Sequence, residues 1–92
     1  MVFVETRTTA QEVLQDIYRE LTCMMNGVES DLAEFRRSGT YRVTKGAIRN
    51  SSENLAGAFR LAYMAAGGVD QVPEGLTNRF RMVRQRVRDE LR

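Results

Sequence analysis

Apolar residues recur every three or four positions through most of this chain, and that regularity restricts it to helices. Ala10, Leu14, Ile17, Leu21 and Met24 form one stripe, and Val28, Leu32 and Phe35 continue its phase. Thr9-Ala10-Gln11-Glu12 precedes them as a capping box. Gly27 either ends or bends the helix, so this stretch reads as helices one and two, separate or kinked, running to about Arg37 before Ser38-Gly39. Residues 38–46 form a loop with an extended-looking Tyr41-Arg42-Val43. The next helix starts at one of two caps, Thr44 or Asn50 with Glu53. Its stripe is Ile48, Leu55, Phe59, Ala62 and Ala66, widened by Ala58, Leu61 and Ala65. This is the most apolar helix, which predicts a central place. Gly67-Gly68 stops it, 67–72 is a loop, and Pro73 suits a first helical position. Leu76, Phe80, Val83, Val87 and Leu91 make the cleanest stripe of all. Only Phe3 and Val4 suit an extended arm.

One-sided helices joined by short loops predict an all-α fold, an antiparallel bundle of three to four helices with up-down topology. With 92 residues there is room for one core, so residues 1–92 read as a single domain, with 1–8 as an N-terminal arm. The longest apolar run, Leu61 to Ala66, is far shorter than a membrane span, which predicts a soluble or peripheral protein. Met24, Met25, Met64 and Met82 read as gap fillers in the bundle.

The residue types narrow the chemistry. There is no His and one Cys, which removes the usual zinc ligand sets and the commonest general base. Cys23 has no His to activate it and sits beside Glu12, Asp16, Arg19 and Glu20, where the acidic neighbours disfavour a reactive thiol. Those three carboxylates lie four apart on an exposed face and lack the enclosing geometry of a calcium loop. Gly67-Gly68 belongs to no phosphate-binding motif. The expectation is a non-catalytic protein with no metal and no cofactor.

Charge is where the chain is distinctive. Residues 1–35 carry two basic and seven acidic groups, and residues 36–92 carry twelve basic and five acidic, so a total of +2 conceals a −5 and a +7. Thirteen of the fourteen cations are Arg, the planar donor suited to carboxylate and phosphate. Arg81, Arg84, Arg88 and Arg92 form their own stripe beside the apolar one on the last helix. Arg79 and Arg86 fall on its other flank, where Glu90 can pair with Arg86. Two readings stay open. The acids of the first helix face the four-Arg stripe inside the bundle, or the stripe docks an acidic protein, an anionic lipid surface or nucleic acid. Arg36 and Arg37 extend a basic patch or complement a helix C-terminus. The candidate partner-binding set is Arg81, Arg84, Arg88, Arg92, Arg36 and Arg37. The small net charge, the single Lys and the lack of an aromatic platform disfavour nucleic acid.

Some of these segments also resemble a known family. Phe35-Arg36-Arg37 is followed by Leu55-Ala56-Gly57-Ala58-Phe59, then a Gly-containing loop and a Pro73-Glu74 that leads a basic amphipathic helix. Phe3-Val4-Glu5 matches an opening aromatic-Val-Glu. This pattern resembles the small lumenal four-helix extrinsic and assembly protein of photosystem II, the eleven-kilodalton protein family. The likeness covers about two thirds of the chain through short motifs. Ala58 stands where the family has His, the loop around Gly67 is longer, and Cys23 does not match the lipidated N-terminal Cys of bacterial members. The resemblance implies a non-catalytic subunit in the thylakoid lumen, peripheral to the membrane, that docks on photosystem II core subunits and stabilises the core or its assembly intermediates. The competing class is a small regulatory or nucleic-acid-associated module using the last helix.

Overall fold

The computed structural model describes residues 9–38 and 44–92. Within them the chain is helical, with no strand. Three α-helices follow one another, α1 (Ala10–Ser38), α2 (Lys45–Ala66) and α3 (Glu74–Glu90), with a short 3-10 turn at Val69–Gln71 before the last. The N-terminal arm, Gly39 and Tyr41-Arg42-Val43 lie outside the described residues.

Local chemistry sets each helix end. The Thr9 hydroxyl accepts from the Glu12 amide at 3.1 Å while the Glu12 carboxylate accepts from the Thr9 amide at 3.1 Å. That closed capping box satisfies donors the first turn would otherwise leave open. Its hydrogen bonds, led by the one from the Thr9 backbone, hold Glu12 below the usual carboxylate range. Thr44 caps α2, its hydroxyl accepting from the Ala47 amide at 3.0 Å, which decides between the two caps the sequence offered. Gly67 ends α2 with a φ of 95°, where a Cβ would be strained, and Gly68 donates to the Tyr63 carbonyl at 2.8 Å. That is a Schellman ending. Pro73 stands one place earlier than expected. It is the residue before α3, and its carbonyl accepts from the Leu76 and Thr77 amides.

Gly27 neither ends nor separates anything, because α1 runs through it as one helix. A Cβ there would meet nothing within 4 Å, so no close approach requires the glycine. Propensity alone costs such a residue about 1 kcal/mol, and the packing on both sides outweighs that.

The core joins all three helices. Leu21, Met25, Val28 and Leu32 of α1 meet Ile48, Leu55, Phe59 and Ala62 of α2 and Val83 and Val87 of α3, with Val72 and Leu91 closing the ends. Phe59 is fully buried and stacks on Phe80, ring centroids 4.1 Å apart. A buried Phe contributes about 1.5–3 kcal/mol from area alone. Leu21, Val28 and Leu32 of the expected α1 stripe are buried and Phe35 packs against them, but the most buried face is turned slightly to one side of that stripe. Tyr18 and Met25 are buried, whereas Leu14, Ile17 and Met24 are only partly so. The cause is that α1 packs on two neighbours. Met25 lies one turn from Glu29, which reaches α3, so the buried face turns in that direction. Met64 and Met82 are 73% and 66% exposed and fill no gap, contrary to expectation.

Buried polar atoms are few and satisfied. The Tyr63 hydroxyl donates to Thr77 at 3.3 Å, linking α2 to α3. Among the described residues no buried side-chain nitrogen or oxygen lacks a partner. No described helix is long and apolar enough to cross a membrane.

Candidate docking face

Three seams join the helices, and they differ in chemistry. The α1–α3 seam is closed by ion pairs. Glu29 accepts from Arg79 and lies 3.9 Å from Arg86, and Asn26 accepts from Arg79 at 2.6 Å. Further along, Arg36 reaches Glu90 at 2.6 Å, and Arg86 reaches the same carboxylate at 3.2 Å. The expected Arg86–Glu90 pair is therefore present, and Arg36 completes a triad across the two helices. Burial works to raise Glu90, but hydrogen bonds from Arg36 and Arg86 and their charges hold it below the usual carboxylate range.

The α2–α3 seam opens into a cleft of about 630 Å³ lined by Arg49, Ser52, Glu53, Arg84, Val87, Arg88, Leu91 and Arg92. Two of its cations are built into the fold. Arg49 donates to the Leu91 carbonyl at 2.6 Å, a cation at the C-terminal end of α3, where the helix dipole favours one. Arg84 is only 21% exposed and donates to the Ser52 carbonyl at 3.1 Å, to the Ser52 hydroxyl at 3.0 Å and to Glu53 at 2.9 Å. All three contacts use one nitrogen, Nη1, and among the described residues the rest of the guanidinium has no hydrogen-bond partner. Arg88 has only Gln85, at 3.4 Å, and Arg92 has Asp89 at the same distance. Among the described residues Arg81 has no hydrogen bond or ion pair, and it lines an adjoining hollow with Arg84, Gln85 and Arg88.

The four-Arg stripe is thus one continuous face, and the acids of α1 do not cover it. Glu29, the α1 acid that reaches α3, pairs with the opposite flank, Arg79 and Arg86. The i,i+3 pair between Arg92 and Asp89 was missed in the sequence. Arg36 and Arg37 are not part of the stripe. Arg36 belongs to the α1–α3 seam, and Arg37 pairs with Glu34 on its own helix. The residue that sequence reasoning overlooked is Arg49. It sits one position after Ile48, and nothing local shows that the start of α2 lies beside the end of α3. Pairing the two helices end to end would have found it.

Chemically the face is a set of guanidiniums in a half-open cleft, two of them fixed. Fixed planar donors take carboxylate or phosphate bidentately and lose little entropy in doing so. Glu53 and Asp89 are the nearby acids, and both are largely exposed. Among the described residues no three His, Cys, Asp or Glu side chains converge as a metal site, and Cys23 is an exposed free thiol.

The α1–α2 seam is different again. Ile17, Leu21, Met24, Ala58, Leu61, Ala62 and Ala65 line an almost wholly apolar hollow, with Glu20 at its edge. No protein-family model, curated protein or solved structure matches this chain.

Proposed function

We propose that this protein is a non-catalytic helical interaction subunit whose arginine face docks on an acidic surface of a larger complex. The three helices form an up-down-up bundle in this reading. The contacts that support that topology run in opposite order along α2 and α3, with Arg49 at Leu91, Ser52 at Arg84 and Tyr63 at Thr77. They run in the same order along α1 and α3, with Glu29 at Arg79 and Arg36 at Glu90.

The observation that carries the proposal is the α2–α3 cleft. Arg49, Arg84, Arg88 and Arg92 line one depression, with Arg81 beside it, and only Glu53 among the lining residues offsets them. A stripe that served the fold alone would be consumed by internal partners, as Arg79 and Arg86 are. Among the described residues Arg81 has no such partner, and Arg88 reaches only Gln85, at 3.4 Å, and no acid. Two-signed partners of this kind gain encounter rate and register from complementary charge more than they gain raw affinity.

The resemblance at Phe35-Arg36-Arg37, Leu55-Ala56-Gly57 and Pro73-Glu74 makes the lumenal face of photosystem II the first partner to test, with acidic lumenal loops of the core subunits as the docking surface. A peripheral place in the thylakoid lumen and a role in stabilising the core or an assembly intermediate belong to that reading. The test is binding of the chain to photosystem II core particles stripped of their extrinsic subunits. Arg81→Glu with Arg88→Glu should abolish docking while helical circular dichroism stays unchanged. Arg84 is a poor choice for reversal, since it also ties α3 to Ser52. Binding to nucleic acid that falls steeply with salt, with no binding to the core particles, would replace this reading with the regulatory one.

A further inference from the structure

We propose that the α1–α2 groove is a second, independent docking site, one that receives a basic amphipathic helix of a partner protein. The groove is longer than one hollow. Ile17, Leu21 and Met24 line its first part with Ala58, Leu61 and Ala65, and Met24, Gly27, Val28 and Asp31 continue it against Ser51 and Asn54. From Ile17 to Asp31 it runs about 21 Å along α1, the length of roughly four helical turns. Leu61 projects at its edge, 67% exposed. Ala58, Ala62 and Ala65 keep the α2 wall low, so a helix can approach closely.

Charge selects the occupant. The α1 lip carries Glu20 and Asp31, and neither has a hydrogen bond or ion pair among the described residues. Eleven residues apart, they sit about 20° from each other around the helix and about 16 Å apart along it. Among the described residues no cation lines either part of the groove. On α2, Arg49 is tied to Leu91 across the opposite seam, and Arg60 lies about 160° around the helix from Ala58. On α1, Arg19 is held by Asp16 at 3.1 Å. An apolar trough with two unpaired carboxylates on one lip fits an amphipathic helix that has an apolar stripe and Lys or Arg about three turns apart. A second copy of the chain offers no such helix. Its basic helix is α3, whose apolar stripe, Val83 and Val87, is already buried in its own core.

The experiment uses two synthetic helical peptides of roughly five turns with a leucine stripe, identical except that one carries Lys and the other Glu eleven residues apart. Binding to the full chain is read by fluorescence anisotropy. The lysine peptide should bind at least about tenfold more tightly than its glutamate twin. Glu20→Lys with Asp31→Lys should invert that order. Leu61→Asp, at an exposed position, should abolish binding of both with circular dichroism unchanged. Arg81→Glu with Arg88→Glu should leave the peptide affinities as they are, which separates this site from the arginine face. Equal binding of the two peptides, indifference to Leu61→Asp, or a concentration-dependent dimer that Leu61→Asp dissolves would each overturn the proposal.

Discussion

The two grooves that flank α2 are built on the same helix and share its buried residues, yet they present opposite surfaces. On the α3 side, Ser52 and Glu53 anchor an arginine, and the wall is guanidinium. On the α1 side, Ala58, Leu61 and Ala65 make an apolar wall with acid on the facing lip. Packing does not explain the difference, since both seams rest on the same core of Leu55, Phe59 and Ala62. The two flanks of α2 itself and its neighbours explain it. Ala58, Leu61 and Ala65 face α1, which belongs mostly to the −5 segment, whereas Arg49, Ser52 and Glu53 face the arginine-rich α3, so segregation along the chain becomes segregation across α2. A near-neutral protein is thereby polar at the scale of a docking surface, where local potential and not total charge steers encounter.

The comparison can be broken at its shared base first. Phe59→Ala removes the side chain that both grooves rest on, together with its stack on Phe80, and should cost about 3–5 kcal/mol in urea unfolding. A loss below about 1 kcal/mol would mean that the common core is not what supports the two faces. Arg84→Ala should cost about 1–2 kcal/mol, because the buried Ser52 hydroxyl loses its donor and the tie from α3 to α2 is cut. Arg88→Ala, one turn along the same stripe, should stay within about 0.5 kcal/mol of the parent. Equal effects from the two would erase the distinction between an arginine that builds the cleft and one that waits in it. Thr9→Ala opens the capping box and should cost about 1 kcal/mol, less if the first turn frays, read by thermal melting.

The smallest effect concerns the closed seam. Glu90 is depressed in the folded state, so its contribution is present above the ordinary glutamate value of 4.5 and is lost as pH falls through the lower folded value. Glu90→Gln should flatten the loss of stability below about pH 4.5 and lower stability near neutrality. An unchanged acid profile would show that the Arg36–Glu90–Arg86 triad adds nothing.

How far these surfaces can be read in the sequence follows from the range of the signals. Thr9 with Glu12, and Gly67-Gly68 at the end of α2, are local devices, and both were legible. The α3 stripe was legible because it faces one core. The α1 stripe was legible in outline, since Leu21, Val28 and Leu32 are buried and Leu14, Ile17, Met24 and Phe35 pack against the core, but its extension to Tyr18 was not, because α1 also packs on α3, far away in sequence. For the same reason Arg49 was invisible. Its partner, the Leu91 carbonyl, lies at the far end of the chain. The stripe of Arg81, Arg84, Arg88 and Arg92 could be named from spacing, but not the burial that separates Arg84 from Arg81. Arg36 looked like a helix-end cation and serves as a strut to Glu90.

The measurement that tests the central claim most directly is docking to stripped photosystem II core particles, comparing the parent chain with Arg81→Glu/Arg88→Glu and with Leu61→Asp. The account predicts that the parent and Leu61→Asp co-migrate with the core on native gels, and that the arginine variant, equally helical, stays behind. Co-migration of the arginine variant, or failure of the parent to bind at all, would contradict it.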